Sequence, residues 1–202
     1  MNNILYVQSS LFGDNGQSSQ LAREFLARFP QARVVTRDLV REPLPHLDGE
    51  RFGAFAAKAG ARTPAQAQVI EESDALVAEL RAADTVVIGA PLYNFGIPSQ
   101  LKAWFDHIAR AGVTFKYTEK GAVGLLTGKK AYVFAARGGY YAGTPADIHG
   151  AYLATMLGFL GITDVQFVHA EGLAVSAENK EAGLAAARIR LRSLAQPERI
   201  AA

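Results

Sequence analysis

Cysteine is absent from this chain, which excludes disulfides, thiolate metal sites and thiol nucleophiles at once. Excess charge is missing too. Lys and Arg total 21 against 19 for Asp and Glu, a formal net charge of +2, and no run of five like charges occurs. Such a balance offers no basic surface for nucleic acid. Arg188, Arg190 and Arg192 alternate late in the chain and read as the solvated face of a helix. No apolar run approaches the ~20 residues that span a bilayer. The opening Met1-Asn2-Asn3-Ile4-Leu5-Tyr6-Val7-Gln8 has no basic segment ahead of its short apolar run. It therefore reads as a buried first strand instead of a signal peptide, and the expected location is the cytoplasm. Histidine is scarce: His46, His107, His149 and His169 lack the spacing of metal ligands, and no metal is expected. His107, on the polar side of its helix, is expected to face solvent. Neither G-x-S-x-G nor G-x-G-x-x-G occurs, which argues against a nucleophile elbow and against a dinucleotide Rossmann site. Gly124-Leu125-Leu126-Thr127-Gly128-Lys129-Lys130 resembles a Walker loop, but it is one residue short, ends in Lys and precedes a strand.

What is present is an alternation of strand-like and helix-like patterns, the mark of an α/β fold with a parallel sheet. The 202 residues, half apolar and a fifth charged, suit one domain over 1–202 with a sizeable core. Strands are expected at Ile4–Val7, Arg33–Thr36, Thr85–Ala90, Lys130–Ala136 and Val165–His169. Helices are expected at Ser18–Phe29, over 48–62 with Phe52 and Phe55 as anchors, and from the Thr63-Pro64 cap to about Ala83. Further helices are expected from Pro98, with Leu101, Trp104, Phe105 and Ile108 on one stripe, over Gly150–Leu160, and over Ala177–Ala195. A hairpin is expected within Val113–Leu126. Right-handed crossovers favour strand order 2-1-3-4-5, which puts a ligand crevice between the loops leaving the first and third strands.

Three loops reach that edge. The first, Ser9–Ser19, ends at a helix N-terminus, where Ser10 and Ser18 hydroxyls and the N–H groups of Gly16, Gln17 and Ser18 can hold a phosphate. The loop has no cation of its own, and Asp14 is acidic, so a monophosphate suits it better than a triphosphate. Taken alone, Ser18 reads equally as a helix cap. The second, Pro91-Leu92-Tyr93-Asn94-Phe95-Gly96-Ile97-Pro98, offers two aromatic rings, an amide and a stiffened backbone without an acid or base. Tyr93 and Phe95 have a competing reading as packing residues. The third, Arg137-Gly138-Gly139-Tyr140-Tyr141, allows close backbone approach, or simply a tight turn. Together they suit a planar heterocycle with a phosphate tail, a flavin. Its ring would lie where backbone donors from Asn94-Phe95 and Gly138-Gly139 reach its polar edge.

The chain also resembles a known family, the FMN-dependent NADH:quinone oxidoreductases of the bacterial azoreductase type. The likeness rests on Ser9-Ser10, Gln17-Ser18, Arg37-Asp38-Leu39, Leu47-Asp48-Gly49-Glu50, Pro91-Leu92-Tyr93-Asn94-Phe95 and Arg110-Ala111-Gly112-Val113-Thr114-Phe115. It continues in Tyr117-Thr118-Glu119, Thr127-Gly128-Lys129-Lys130-Ala131, Arg137-Gly138-Gly139, Leu157-Gly158-Phe159-Leu160-Gly161-Ile162-Thr163-Asp164 and Ala170-Glu171-Gly172. The resemblance implies a flavodoxin-like three-layer sandwich, one FMN per subunit, and NADH, with NADPH as the other candidate, as electron donor. It implies FMN contacts at Ser10, Gly16, Gln17, Ser18, Pro91, Leu92, Tyr93, Asn94, Phe95, Ala136, Arg137, Gly138 and Gly139. It further implies a homodimer whose pockets, with Phe115, Tyr117, Tyr140, Tyr141 and Phe159 as candidate linings, receive quinones and azo compounds. No side chain is an obligatory acid or base; Tyr93 and Asn94 assist. Gly16 and Ala136 stand where the family often has Ser, and Leu92 where it often has Met. The rival readings are a flavodoxin-like carrier of single electrons, disfavoured by length and near-neutral charge, and a cofactor-free binding module on the same fold.

Overall fold

The computed structural model describes residues 1–194. Its main sheet contains β1 (Asn3–Gln8), β2 (Arg33–Asp38), β3 (Thr85–Pro91), β6 (Lys130–Ala136) and β7 (Asp164–Ala170), all parallel, in the order β2-β1-β3-β6-β7. A hairpin of β4 (Phe115–Thr118) and β5 (Gly121–Gly124) forms a separate two-stranded antiparallel sheet. With the hairpin set aside, this is the expected 2-1-3-4-5 topology. The helices are α1 (Gln17–Leu26), α2 (Gly49–Ala56), α3 (Pro64–Ala82), α4 (Ser99–Ile108), α5 (Ile148–Leu160) and α6 (Ala177–Leu194). The expected end of the last helix at Ala195 lies outside the described residues.

The layers follow from the two-residue period of a strand. Leu5, Val7, Val86, Ile88, Ala131 and Val133 point to one face, where they pack against Leu76 and Leu80 of α3, Trp104 and Phe105 of α4, and Leu153 and Leu157 of α5. Ile4, Tyr6, Val87, Tyr132, Phe134 and Val168 point to the other, against Leu21 and Phe25 of α1 and Ala187 and Leu191 of α6. Central β3 is buried at every position, as an uninterrupted apolar run requires. Local signals placed α3 well: Thr63 accepts from Gln66 N at 3.2 Å while the Gln66 side chain accepts from Thr63 N at 3.0 Å, a capping box ahead of Pro64.

Three expectations on α2 and α4 need correction. The helix expected over 48–62 ends at Ala56, where Ala57 turns extended, and a single 3-10 turn follows at Ala59–Ala61. Phe52 is no anchor; it is 65% exposed, whereas Ala54 is buried. His107 does not face solvent but is fully buried. Its Nδ1 lies 2.8 Å from Ala103 O, its Nε2 lies 3.5 Å from the Arg51 guanidinium, and the Phe55 ring meets it edge-on. Helix α2 brings Arg51 and Phe55 across what would otherwise be the polar side of α4, and periodicity along α4 carries no information about that cover.

Candidate functional site

The loops leaving β1, β3 and β6 meet at the carboxyl edge of the sheet. Ser9 Oγ donates to Gly89 O at 2.7 Å, fastening the base of the first loop to β3. Gly16, not Ser18, is the N-cap of α1, and no side chain caps that end. Ser18 therefore does not act as the helix cap. It lies buried in the first turn, and its Oγ has no hydrogen-bond partner among the described residues. An orphaned buried hydroxyl costs roughly 1–3 kcal/mol, which a ligand oxygen at this point would offset. The first-turn N–H groups of Gln17 and Ser18 likewise lack intrahelical acceptors. Ser10 is buried beside them, and a Cβ on Gly16 would lie 2.0 Å from Ser10 Oγ. Glycine at position 16 is thus what lets the helix end approach Ser10. Asp14 does not oppose an anion here. It pairs with Arg23 of α1 and accepts from Gln8 Nε2 at 3.3 Å, and the Arg23 hydrogen bond holds its carboxyl below the usual range.

In the second loop, Leu92 N donates to Ala136 O at 2.9 Å and so prolongs the β3–β6 ladder. Tyr93 and Gly96 then exchange both backbone bonds, at 3.1 and 3.0 Å, across Asn94 (φ 49°) and Phe95 (φ 65°). Two successive positive φ values define a type I′ turn. Asn tolerates that conformation; Phe does so rarely, at roughly 1–3 kcal/mol. Among the described residues nothing accepts from the N–H groups of Asn94 or Phe95. The Tyr93 hydroxyl accepts from Leu11 N at 3.3 Å and lies 3.5 Å from Ser10 Oγ, so one side chain ties the second loop to the first.

The third loop is bound on its far side. The carbonyls of Arg137, Gly138 and Gly139 accept from Leu173, Ala174 and Gly172 at 3.1, 3.0 and 3.0 Å. The N–H groups of Gly138 and Gly139 have no acceptor among the described residues. The Arg137 side chain is fully buried; it donates to Asp147 at 2.8 Å and to Glu171 at 3.2 Å and lies 3.5 Å from His149 Nδ1. The Arg137 backbone is engaged as well, its N–H by Ala170 O at 2.8 Å and its carbonyl by Leu173 N, and only its buried Nε lacks a partner among the described residues. Burial, and then the Arg137 charge, push the His149 imidazole down to about 4. Burial would raise the Asp147 carboxyl, but the Gly150 N–H and Arg137 hold it below the usual range. Glu171, Asp147 and His149 were not singled out as site residues by sequence reasoning. The available signal was Glu171 itself, a carboxylate directly after β7 at the ligand edge.

The candidate lining residues separate into two groups. The Tyr141 ring meets the Phe95 ring edge-on at 5.6 Å, across the gap between the second and third loops, and Tyr140 is 55% exposed nearby, its hydroxyl accepting from Asn179 Nδ2 at 2.6 Å. Phe115 is instead buried against Phe159 at 4.4 Å and Tyr117 at 5.4 Å. That trio sits where the hairpin packs on the C-terminal end of α5, with Leu126 N bonded to Leu160 O. The N-terminal end of α5, beside the third loop, is about 20 Å away at 1.5 Å per residue. One chain does not bring these five aromatics into one pocket. Beside the second loop, a cleft of about 340 Å³ opens between Gly96, Ile97 and Lys102 on one side and Ile148, His149 and Tyr152 on the other.

Residues 2–195 match the sequence profile of a family described as having a flavodoxin-like fold. An FMN-dependent NADH:quinone oxidoreductase of Cellvibrio japonicus is 56% identical over 177 residues, covering 86% of this chain and 89% of that protein. The crystal structure of an azoreductase from Bacillus anthracis str. Sterne superposes with a TM-score of 0.88 at 33% identity, covering 96% of this chain and 99% of that one. A second structure, an FMN-dependent NADH-azoreductase from Bacillus anthracis str. Ames Ancestor in complex with FMN, superposes with a TM-score of 0.84 at 30% identity, covering 97% and 100%. The chain belongs to this flavodoxin-like family and, within it, to the FMN-dependent NADH:quinone oxidoreductases.

Proposed function

We propose that this chain binds one FMN per subunit and uses it to reduce quinones and azo compounds with NADH. The observation that carries the reading is the set of unpaired donors at one sheet edge. The Ser18 hydroxyl and the N–H groups of Asn94, Phe95, Gly138 and Gly139 have no protein partner among the described residues. A phosphate fits the first group, through the Ser10 and Ser18 hydroxyls and the Gln17 and Ser18 N–H groups; Gly16, whose own N–H donates to Gly13 O at 3.2 Å and is not the donor expected from the sequence, serves by lacking a side chain. The polar edge of a flavin ring fits the second, with Pro91, Leu92, Tyr93 and Ala136 at its margin. When bound, FMN accepts a hydride from the nicotinamide and passes two electrons to the acceptor.

The protein's own contribution is orientation and electrostatics. The type I′ turn at Asn94-Phe95 presents its donors in a fixed direction, and Tyr93 ties that turn to the phosphate loop. No side chain at the edge is placed as an obligatory acid or base, and water supplies the protons. A ping-pong order follows: reduced nicotinamide enters the slot and leaves oxidised before the acceptor enters it. One NADH converts a quinone to its hydroquinone; cleaving an azo bond to two amines takes two NADH. Detoxification of electrophilic quinones and a place in the cytoplasm, where reduced nicotinamide is supplied, fit this chemistry. No helix among the described residues is long and apolar enough to cross a membrane.

A homodimer completes the pocket in this reading, because the Phe115–Tyr117–Phe159 trio can reach the loops only from a second copy. Exposed Ile148 and Phe95 give such a contact apolar surface. The test is to titrate the apoprotein with FMN, then measure steady-state kinetics with NADH and NADPH against a panel of quinones and azo compounds. Quenching of flavin fluorescence, parallel double-reciprocal plots and a mass of two chains by light scattering are expected. An apoprotein whose melting temperature and visible spectrum ignore excess FMN sinks the reading, and reduction that halts at a one-electron state favours the carrier alternative.

A further inference from the structure

The far end of the third loop is held by a residue outside the donor set just described. A single oxygen of Glu171, Oε1, accepts from Tyr141 N at 2.7 Å, Ala142 N at 2.8 Å and Arg137 Nη1 at 3.2 Å. The near end of the loop is fixed as well: Arg137 N donates to Ala170 O at 2.8 Å, and the carbonyls of Arg137, Gly138 and Gly139 are taken by residues 172–174. Between these two attachments, the N–H groups of Gly138 and Gly139 are left without a protein acceptor among the described residues. Each of these N–H groups shares a planar peptide unit with a carbonyl already held by Leu173 or Ala174, so their direction is set from that side. What Glu171 holds is the next stretch, the N–H groups of Tyr141 and Ala142.

We infer that Glu171 is a positioning residue, which sets the Tyr141 ring as one wall of the flavin and acceptor slot by holding the backbone of Tyr141 and Ala142. The inference rests on the FMN reading above and deepens it. The latch sets the backbone that carries the Tyr141 ring edge-on to Phe95, across the gap between the second and third loops. The competing account is that Glu171 merely neutralises buried Arg137. The two accounts part at glutamine, which keeps an Oε1 acceptor but carries no charge.

The experiment compares wild type, Glu171→Gln and Glu171→Ala. It reads FMN affinity by fluorescence quenching, the visible circular dichroism of the bound flavin, and amide exchange of the 138–142 segment in the apoprotein. Glu171→Ala is expected to weaken FMN at least about tenfold, alter the flavin spectrum and deprotect the Tyr141 and Ala142 amides, with Glu171→Gln within about threefold of wild type. Wild-type behaviour of Glu171→Ala overturns the inference. So does a Glu171→Gln that falls as far as alanine, because charge would then be what matters. If Glu171→Ala does not fold, Glu171→Asp carries the test: it keeps the charge but withdraws the oxygen by one methylene. It is expected to weaken FMN about fivefold or more at a melting temperature near wild type, and unchanged affinity overturns the inference. A wild-type apoprotein that takes up no FMN sinks the cofactor reading itself; a wild type that binds while its variants behave identically sinks only the role of Glu171.

Discussion

At the scale of single residues, the site depends on hydroxyls and backbone donors more than on charges. Tyr93 is the clearest case, because its hydroxyl joins the phosphate loop to the ring loop. Tyr93→Phe removes that tie and keeps the ring; FMN affinity is expected to fall about fivefold, worth ~1 kcal/mol, with the fold intact, as fluorescence titration would show. Asn94 separates backbone from side chain. At φ 49° glycine is at ease and alanine is strained. If the residue serves through its N–H, Asn94→Gly retains most of the activity while Asn94→Ala loses several-fold in kcat/KM without abolishing turnover. Equal, complete loss in both with FMN still bound would give the amide a chemical role. These residue types were legible in the sequence, being chemistry-bearing groups at the end of an obvious strand. The orphaned state of Ser18 Oγ was not, because it depends on what the rest of the fold fails to offer.

Among the elements, the hairpin and α5 meet more tightly than any pattern in either segment announces. A Cβ on Gly124 would lie 2.1 Å from Gly161 N and 2.2 Å from Leu160 C, backbone atoms that cannot yield. Gly124→Ala is expected to cost about 1–3 kcal/mol or more, lowering the melting temperature by roughly 3–10 °C. Gly53→Ala is the control: it lies in α2 with nothing within 4 Å of an added Cβ, and is expected to be neutral or stabilising by up to ~1 kcal/mol. A melt in which the two behave alike would refute the close approach. Element boundaries were readable where the signal is local. The Thr63–Gln66 capping box starts α3 from four consecutive residues, whereas alanine-rich 48–62 contains no Gly or Pro stop at the point where α2 ends.

For the whole molecule, the buried cluster around Arg137 couples stability to pH. His149 has its folded-state pKa depressed from 6.5 to about 4 by burial and by the Arg137 charge. A histidine depressed in the folded state binds its proton more readily when unfolded. Its contribution is therefore fully present above pH 6.5 and is lost as pH falls toward 4, a span of order 3 kcal/mol. His169, depressed chiefly by burial and then by Arg137, acts in the same direction. Wild type is expected to lose melting temperature between pH 6.5 and 4.5, and His149→Gln to lose less over that window. Identical slopes would mean that His149 is not buried neutral.

The sequence by itself determined the sheet. Strands whose side chains alternate between two apolar covers, joined by amphipathic helices, leave few right-handed windings, and the loops at the carboxyl edge follow from that winding. Local order also fixed the helix stripe of α4 and the donors available at each loop. Only the tertiary structure decided which polar groups are satisfied. The burial of His107 beneath α2, the capture of Asp14 by Arg23, the confinement of the Arg137 side chain and the latch of Glu171 all join residues from different elements. Such pairings are set by packing in three dimensions, and no period along the chain encodes them.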